Sequence, residues 1–124
     1  MSLTPNISKT AAGMKGQKTA EDFLRKNGAE ILERNYRTRT GEIDLIAKID
    51  GYVAFIEVKF RKNTAYGLPC ESVGSKKQQK IIRTALYYIA SKKLENQDFR
   101  FDVVEVLEQS GQVFVNHITD AFGA

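Results

Sequence analysis

The chain has a single cysteine and a single histidine among its 124 residues, Cys70 and His117. One thiol cannot form an internal disulfide, and it cannot build a zinc site of several thiolates. No stretch approaches the roughly 18 consecutive apolar residues of a membrane span, and no signal-peptide pattern is visible. We therefore expect a cytoplasmic protein without membrane association, in which Cys70 is an ordinary loop or core thiol.

The length and composition predict one domain with a core of ordinary size. Hydrophobic residues make up 42% of the chain and charged residues 27%, which is usual for a globular protein. Residues 1–14 are mostly small or polar and include Pro5 and Gly13, so we expect a flexible N-terminal arm there. The single domain is then expected over residues 15–124.

Hydrophobic periodicity and turn residues predict seven elements in the order αβββαββ. Gly28 follows the first helix where a helix-ending glycine is expected, and Ser75 is the expected N-cap of the second. A loop is expected over residues 62–74. The predicted helices cover residues 15–27 and 75–93, and the predicted strands cover residues 30–37, 41–48, 52–61, 99–107 and 112–118.

The Asp-Gly dipeptide at residues 50–51 lies between two apolar runs and predicts a β-hairpin with a two-residue type I′ turn. In that register Asp44 is opposite Glu57, and Glu42 is opposite Lys59. Side chains alternate along a strand, so these four residues are expected to share one face of the sheet.

Two carboxylates directly opposite each other repel, because their Cβ atoms are roughly 4.5–5.5 Å apart. A divalent cation, a shared proton or the Lys59 ammonium would offset the repulsion between Asp44 and Glu57. Oxygen ligands at this spacing suit a hard cation such as Mg²⁺ or Mn²⁺. The alternative is a solvated face with an ordinary Glu42–Lys59 salt bridge. Apolar residues on both faces of the second hairpin strand indicate burial and favour the site.

Basic residues lie on both sides of this acidic hairpin in the sequence. The net charge of +4 and the pI of about 9.2 are by themselves weak evidence for a polyanion partner. Their placement suits a phosphate-rich ligand, and no base-reading motif is evident, so we expect contacts to phosphates. Ordinary solvated charge is the alternative for any single residue. The candidate nucleic-acid-binding residues are Arg37, Arg39, Arg61, Lys62, Lys76, Lys77, Lys80 and Arg83.

Four further polar or aromatic residues are given structural roles. His117 lies near the end of the last strand with no partner visible in the sequence. Asp102 lies in an otherwise apolar strand and is expected to pair with a basic group such as Arg100. Tyr87 and Tyr88 lie on the second helix, where packing is favoured over stacking on nucleobases.

Three segments carry a resemblance to a known family. They read Gly-Glu-Ile-Asp-Leu-Ile-Ala at residues 41–47, Glu-Val-Lys-Phe-Arg at residues 57–61 and Arg-Phe-Asp-Val-Val at residues 100–104. In this order they resemble the PD-(D/E)XK nuclease superfamily and, more closely, the YraN family of small bacterial proteins. That family is similar to archaeal Holliday-junction resolvases. The resemblance covers roughly residues 15–122.

The resemblance implies a restriction-endonuclease-like α/β fold with a central mixed five-stranded sheet flanked by helices. It implies that Asp44, Glu57 and the Val58 carbonyl bind the metal and that Lys59 is the catalytic cation. The family often has Gly-Glu early in the first helix, whereas this chain has Gly-Gln there. The uncharged Gln17 is an auxiliary candidate. Glu21, one turn later, and Glu42 are the other auxiliary candidates.

These observations predict a nuclease that uses Mg²⁺ or Mn²⁺ to hydrolyse phosphodiester bonds. DNA is favoured over RNA, and branched or junction DNA is favoured because recognition is expected to depend on shape. One alternative is a nucleic-acid-binding module with the nuclease fold and little or no catalysis, which the uncharged Gln17 favours. Another is an interaction protein whose basic face meets an acidic protein. A monomer and a homodimer both stay open.

Overall fold

The computed structural model describes residues 11–62 and 73–123. Its strands form one sheet in the order β1-β2-β3-β4-β5, in which every neighbouring pair is antiparallel except β3–β4. The predicted α/β class, mixed sheet and element order are confirmed, and they are consistent with a restriction-endonuclease-like fold. The elements are α1 (Ala11–Lys26), β1 (Glu30–Thr38), β2 (Gly41–Ile49), β3 (Tyr52–Lys62), α2 (Ser75–Ser91), β4 (Asp98–Gln109) and β5 (Gln112–Phe122).

The β2–β3 hairpin has the predicted turn and register. Asp50 and Gly51 have φ angles of 50° and 85°, so both turn residues are in the left-handed region that a type I′ turn requires. The paired residues run from Ile49–Tyr52 to Leu45–Ile56. The local sequence therefore fixes which side chains of β2 and β3 are neighbours.

Apolar side chains cover both faces of the sheet. Val53 and Phe55 of β3 belong to a core cluster closed by α2, whereas Ala54 and Ile56 belong to a second cluster closed by α1. This alternation confirms that β3 is buried on both faces, as a central strand with a parallel neighbour usually is. Within the described part of the chain, neither helix is long and apolar enough to cross a membrane.

The helix boundaries differ from prediction at their N-terminal ends. α1 begins at Ala11, inside the predicted arm, and residues 1–10 lie outside the described part of the chain. The N-cap of α2 is Gly74 rather than Ser75, because Gly74 has the extended backbone of a cap and the helix begins with Ser75. Gly28, at a φ of 93°, ends α1 as predicted. Cys70 and most of the predicted loop at residues 62–74 lie outside the described residues.

Asp102 of β4 is completely buried and accepts three hydrogen bonds. The donors are Arg100 Nε at 3.0 Å, His117 Nε2 at 2.8 Å and the Asp120 amide at 3.0 Å. The amide comes from a bulge in β5, where Asp120 has a φ of 53° and the β4–β5 register shifts. Burial raises the pKa of Asp102, but the hydrogen bonds from His117 and Asp120 and the Arg100 charge hold it below its ordinary value. The structural role predicted for Asp102 is confirmed, and Asp102 is the partner of His117.

Candidate active site

The β2–β3 ladder ends just before the two predicted metal ligands. The described pairs stop at Leu45–Ile56, and the Val58 amide then donates a 2.8 Å hydrogen bond to Asp44 Oδ2. A carboxylate thus takes the place of a strand partner. Asp44 and Glu57 are each only 6% exposed. The two strands therefore present a pair of buried carboxylates where regular pairing between them ends.

Side-chain alternation along β2 changes at Asp44. Ile43 and Ile46 both belong to the α2-side core, although they are three residues apart and strict alternation would separate them. On β1, Asn35 has a φ of 52°. The β1–β2 ladder pairs Arg34 with Leu45 and Tyr36 with Ile43, and it does not include Asn35 and Asp44, which lie between these pairs. The shared face predicted for Glu42 and Asp44 rests on strict alternation, which does not hold here.

Glu42 has a partner that the hairpin pattern did not predict. It is opposite Arg37 of β1, whose Nε lies 3.4 Å from Glu42 Oε2. β2 lies between two strands, and each of them can supply a cation to Glu42; on the β1 side that cation is Arg37.

Lys77 of α2 forms an ion pair with Glu57. Burial and the nearby Asp44 charge raise the pKa of the Glu57 carboxyl, and the hydrogen bond and charge of Lys77 oppose this rise without cancelling it. Burial lowers the pKa of Lys77, but Glu57, Asp44 and Glu42 outweigh burial and raise it. Lys77 was predicted to contact nucleic-acid phosphates. In the structure its ammonium group forms an ion pair with a buried carboxylate.

The β3–α2–β4 crossover was the signal that could have identified this contact. A helix that connects two parallel strands runs back over the sheet, so its first turn lies near the C-terminal end of the preceding strand. Glu57 is the central residue of β3, within reach of the long Lys77 side chain in the first turn of α2. The pairing therefore follows from the parallel β3–β4 arrangement, which the local sequence does not specify.

Lys59 lies beside a buried acid on the neighbouring strand. It is opposite Glu105 in the parallel β3–β4 pair, and it is partly buried. Glu105 is completely buried, and its Oε1 accepts a 3.0 Å hydrogen bond from Asn116 Nδ2 of β5. Glu105 was missed from the sequence because an acid among valines in β4 carries no motif of its own. It gives Lys59 a carboxyl neighbour on the side away from Asp44.

The two auxiliary candidates on α1 have different surroundings. Gln17 is buried, and its Oε1 has no hydrogen-bond partner among the residues that the structure describes. The adjacent Gly16 packs against Phe60, so Gln17 is at the end of β3 that carries Lys59. Glu21 instead binds Arg25 and Arg34, with Arg34 Nε donating to Glu21 Oε1 at 2.7 Å. These arginines lower the pKa of Glu21, with the Arg34 hydrogen bond the largest cause.

The oxygen donors at this end of the sheet fit a hard divalent cation. Asp44 and Glu57 would supply carboxylates, and the Val58 carbonyl, next to Glu57 in the chain, would supply a neutral oxygen. Gln17 has a buried amide oxygen, but α1 covers the opposite face of the sheet from α2, whose Lys77 binds Glu57. Among the described residues no group of three or more histidine, cysteine or acidic side chains could hold a metal. The donor set therefore has two charged ligands and depends on neutral oxygens for the rest.

The predicted basic residues do not form one uniform surface. Lys76 and Lys80 are exposed on α2, Arg61 is partly buried, and the side chain of Lys62 lies outside the described part of the structure. Three others come together around a cavity between the β1–β2 turn and α2, namely Arg37, Arg39 and Arg83.

The sequence pattern of the uncharacterised protein family UPF0102 matches residues 16–106. The chain belongs to this family. A UPF0102 protein of Clostridium acetobutylicum is 51% identical over 111 residues, which cover 90% of this chain and 85% of that protein. One of Clostridioides difficile is 50% identical over 109 residues, covering 86% and 92% of the two chains. One of Alkaliphilus metalliredigens is 46% identical over 110 residues, covering 89% and 96%. The resemblance to the YraN family, which is UPF0102, is therefore confirmed.

Proposed function

We propose that this UPF0102 protein is a metal-dependent nuclease that hydrolyses phosphodiester bonds in DNA. The observation that carries the proposal is the pair of buried carboxylates, Asp44 and Glu57, where the β2–β3 ladder ends. Burial of two acids side by side is costly unless a cation compensates them. A divalent cation bound there supplies Lewis acidity toward phosphate oxygens.

The residues around this pair have distinct parts in the proposed reaction. The Val58 amide holds Asp44 in one orientation, so this ligand is fixed before substrate arrives. Lys59 is two residues beyond Glu57 and provides a positive charge for the oxygens of the reacting phosphate. Lys76 and Lys80 are exposed on α2 and are suited to hold the neighbouring phosphates of the backbone.

A binding module with little or no catalysis is the second candidate, and two observations favour it. Lys77 forms an ion pair with Glu57 and would compete with a metal ion for that carboxylate. Gln17 carries no charge, so the carboxylates assigned to a cation within the described part of the chain are Asp44 and Glu57. Both proposals expect DNA binding dominated by phosphates, with log affinity falling against log salt by about 0.9 per phosphate contacted on duplex DNA. They differ in whether bound DNA is cut.

Cleavage assays separate these candidates. Wild type, Asp44→Asn and Glu57→Gln are incubated with single-stranded, duplex and four-way-junction DNA in Mg²⁺ or Mn²⁺. We expect wild type to cut, with preference for the junction, and both variants to lose about 100-fold or more of the rate. Asp22→Asn changes an exposed acid on α1 and serves as the control. Equal cleavage by Asp44→Asn would contradict the assignment, and binding without cleavage by wild type would favour the binding module.

A further inference from the structure

A cavity of about 460 Å³ lies between the β1–β2 turn and α2. Ligand-binding pockets in proteins usually measure roughly 300–1,000 Å³, so this one has room for a nucleotide. It lies outside the carboxylate pair, and neither Asp44 nor Glu57 lines it. Its lining residues are Arg37, Thr38, Arg39, Thr40, Arg83 and Tyr87.

Three guanidinium groups give the cavity a positive wall. Arg37 is oriented by Glu42, with 3.4 Å between Nε and Oε2. Arg39 and Arg83 are exposed, and neither has an ion-pair partner among the described residues. Arginine binds phosphate through two parallel hydrogen bonds, so a cavity with two such side chains suits a phosphate group.

The aromatic wall of the cavity is Tyr87, which is 61% exposed. Its neighbour Tyr88 is buried and packs edge-on against Tyr36, with 5.1 Å between ring centroids. The expectation that both tyrosines pack is therefore confirmed for Tyr88 and wrong for Tyr87, because consecutive helix residues point about 100° apart. An exposed aromatic ring beside arginines is the combination on which unpaired bases stack.

Hydrogen bonds between threonine hydroxyl groups hold the lining residues Thr38 and Thr40 in place before any ligand binds. Thr84 of α2 is buried, and its Oγ1 lies 3.1 Å from Thr40 Oγ1 and 3.4 Å from Thr38 Oγ1. The same hydroxyl donates to the Lys80 carbonyl at 2.8 Å. These bonds hold the β1–β2 turn against α2. A preformed cavity avoids part of the ordering cost of binding.

The cavity and the carboxylate pair adjoin the same helix. Lys77, which binds Glu57, and Arg83, which lines the cavity, are six residues apart, or about 9 Å along α2 at the usual rise per residue. On β2, Glu42 contacts the cavity residue Arg37 and is two residues from Asp44. One nucleic-acid strand can therefore reach both places.

We propose that this cavity binds an unpaired nucleotide of the DNA, with its phosphate on Arg39 and Arg83 and its base against Tyr87. A base within a duplex is stacked on both sides and cannot offer a free face to the tyrosine. The inference rests on the proposed function for its choice of ligand. It assigns to the cavity the unpaired nucleotides at an end or beside a branch, a contact additional to those that the active site makes with paired DNA.

Binding without metal tests the cavity apart from cleavage. Fluorescence anisotropy in EDTA compares a short oligothymidylate with a duplex of equal length. We expect Tyr87→Ala to weaken oligothymidylate binding about 10-fold, equivalent to ~1.4 kcal/mol, and to leave duplex binding unchanged. Tyr87→Phe keeps the ring and should bind as wild type does. Leu86→Ala, an exposed neighbour on α2 that does not line the cavity, is the matched control.

A second probe separates base stacking from phosphate contact. An oligonucleotide of abasic sites should bind wild type and Tyr87→Ala equally, because it has no base to stack. Arg83→Ala should weaken both single-stranded probes and reduce the salt slope by about 1. Equal oligothymidylate binding by Tyr87→Ala and wild type would overturn the proposal. So would an equal loss on duplex, because the surface would then not distinguish unpaired bases.

The cavity proposal and the nuclease proposal can be refuted independently of each other. Asp44→Asn should bind oligothymidylate in EDTA as wild type does, because Asp44 does not line the cavity. If wild type binds through Tyr87 but cuts nothing, the proposed nuclease function fails and the cavity stands. If wild type cuts DNA and Tyr87→Ala binds normally, the cavity proposal fails and the nuclease stands.

Discussion

Lys77 of α2 and Glu57 of β3 form an ion pair that joins a half-exposed ammonium to an almost fully buried carboxylate. The charge that compensates Glu57 in this structure therefore comes from the chain itself. A metal at the carboxylates would have to share them with this ammonium or displace it. We therefore expect the Lys77–Glu57 ion pair to stabilise the metal-free protein and, at the same time, to lower its affinity for a metal ion.

Replacement of Lys77 by methionine should separate these two effects. Without metal, Lys77→Met leaves Glu57 buried and less compensated, so we expect the free energy of unfolding to fall by about 1–3 kcal/mol. Added Mn²⁺ should then raise the melting temperature of the variant more than that of wild type, because no ammonium competes. Thermal melts with and without Mn²⁺ measure both effects. Lys76→Met is the control, and equal Mn²⁺ shifts in all three proteins would contradict the prediction.

Variants of Lys59 test whether this residue is a catalytic cation or a structural one. If Lys59 stabilises charge on the reacting phosphate, Lys59→Ala should lower single-turnover cleavage by about 100-fold or more and weaken DNA binding little. Lys59→Arg should not restore the rate, because a planar guanidinium does not reproduce a compact ammonium. If Lys59 only balances the buried Glu105 beside it, Lys59→Ala should cleave normally and melt at a lower temperature.

Asp102 should make stability depend on acidity. Its pKa is lower in the folded protein than in the unfolded chain, so its contribution is complete above the unfolded value of about 3.9 and is lost as the pH falls through the folded value. We expect Asp102→Asn to lower the free energy of unfolding at pH 7 by about 1–3 kcal/mol. The difference from wild type should shrink below about pH 4. Urea unfolding from pH 7 to pH 2 measures this, and Asp98→Asn in the same strand is the exposed control.

Gly16 of α1 packs closely against Phe60 of β3. A Cβ atom added there would lie 2.8 Å from Phe60 Cδ1 and 2.9 Å from Phe60 Cβ. Overpacking destabilises the folded protein by about 1–3 kcal/mol, whereas the better helix propensity of alanine stabilises it by at most about 1 kcal/mol. Gly16→Ala should therefore be destabilising by about 1–2 kcal/mol in chemical denaturation. Lys18→Ala on the exposed side of α1 should be close to neutral, and an equally stable Gly16→Ala would show that α1 can shift.

Local sequence was sufficient for the hairpin and therefore for most of the candidate site. Asp50 and Gly51 determine the turn, and the turn determines the register as far as Leu45–Ile56, one residue short of Asp44 and Glu57 on each strand. The burial of β3 on both faces could also be predicted, because its odd-numbered and its even-numbered positions both carry apolar residues. These are features that a few adjacent residues specify by backbone conformation and hydrophobicity alone.

Contacts between distant elements could not be predicted in the same way. Lys77 is twenty residues from Glu57, and its pairing depends on where the β3–α2–β4 crossover puts the first turn of the helix. The change of alternation in β2 occurs across from the left-handed Asn35 of the neighbouring strand, and no turn residue in β2 itself signals it. Tyr87 and Tyr88 are adjacent in sequence, and only the packing of α2 decides which of them is exposed.

The Asp120 bulge also affects how the molecule meets its neighbours in solution. β5 is the last strand of the sheet, and a straight outer strand offers a continuous row of amides and carbonyls to any other extended chain. The left-handed Asp120, tied to the buried Asp102, interrupts that row. A buried carboxylate thus shapes an outer edge, because the bulge that it anchors breaks the straight backbone to which another extended chain could add.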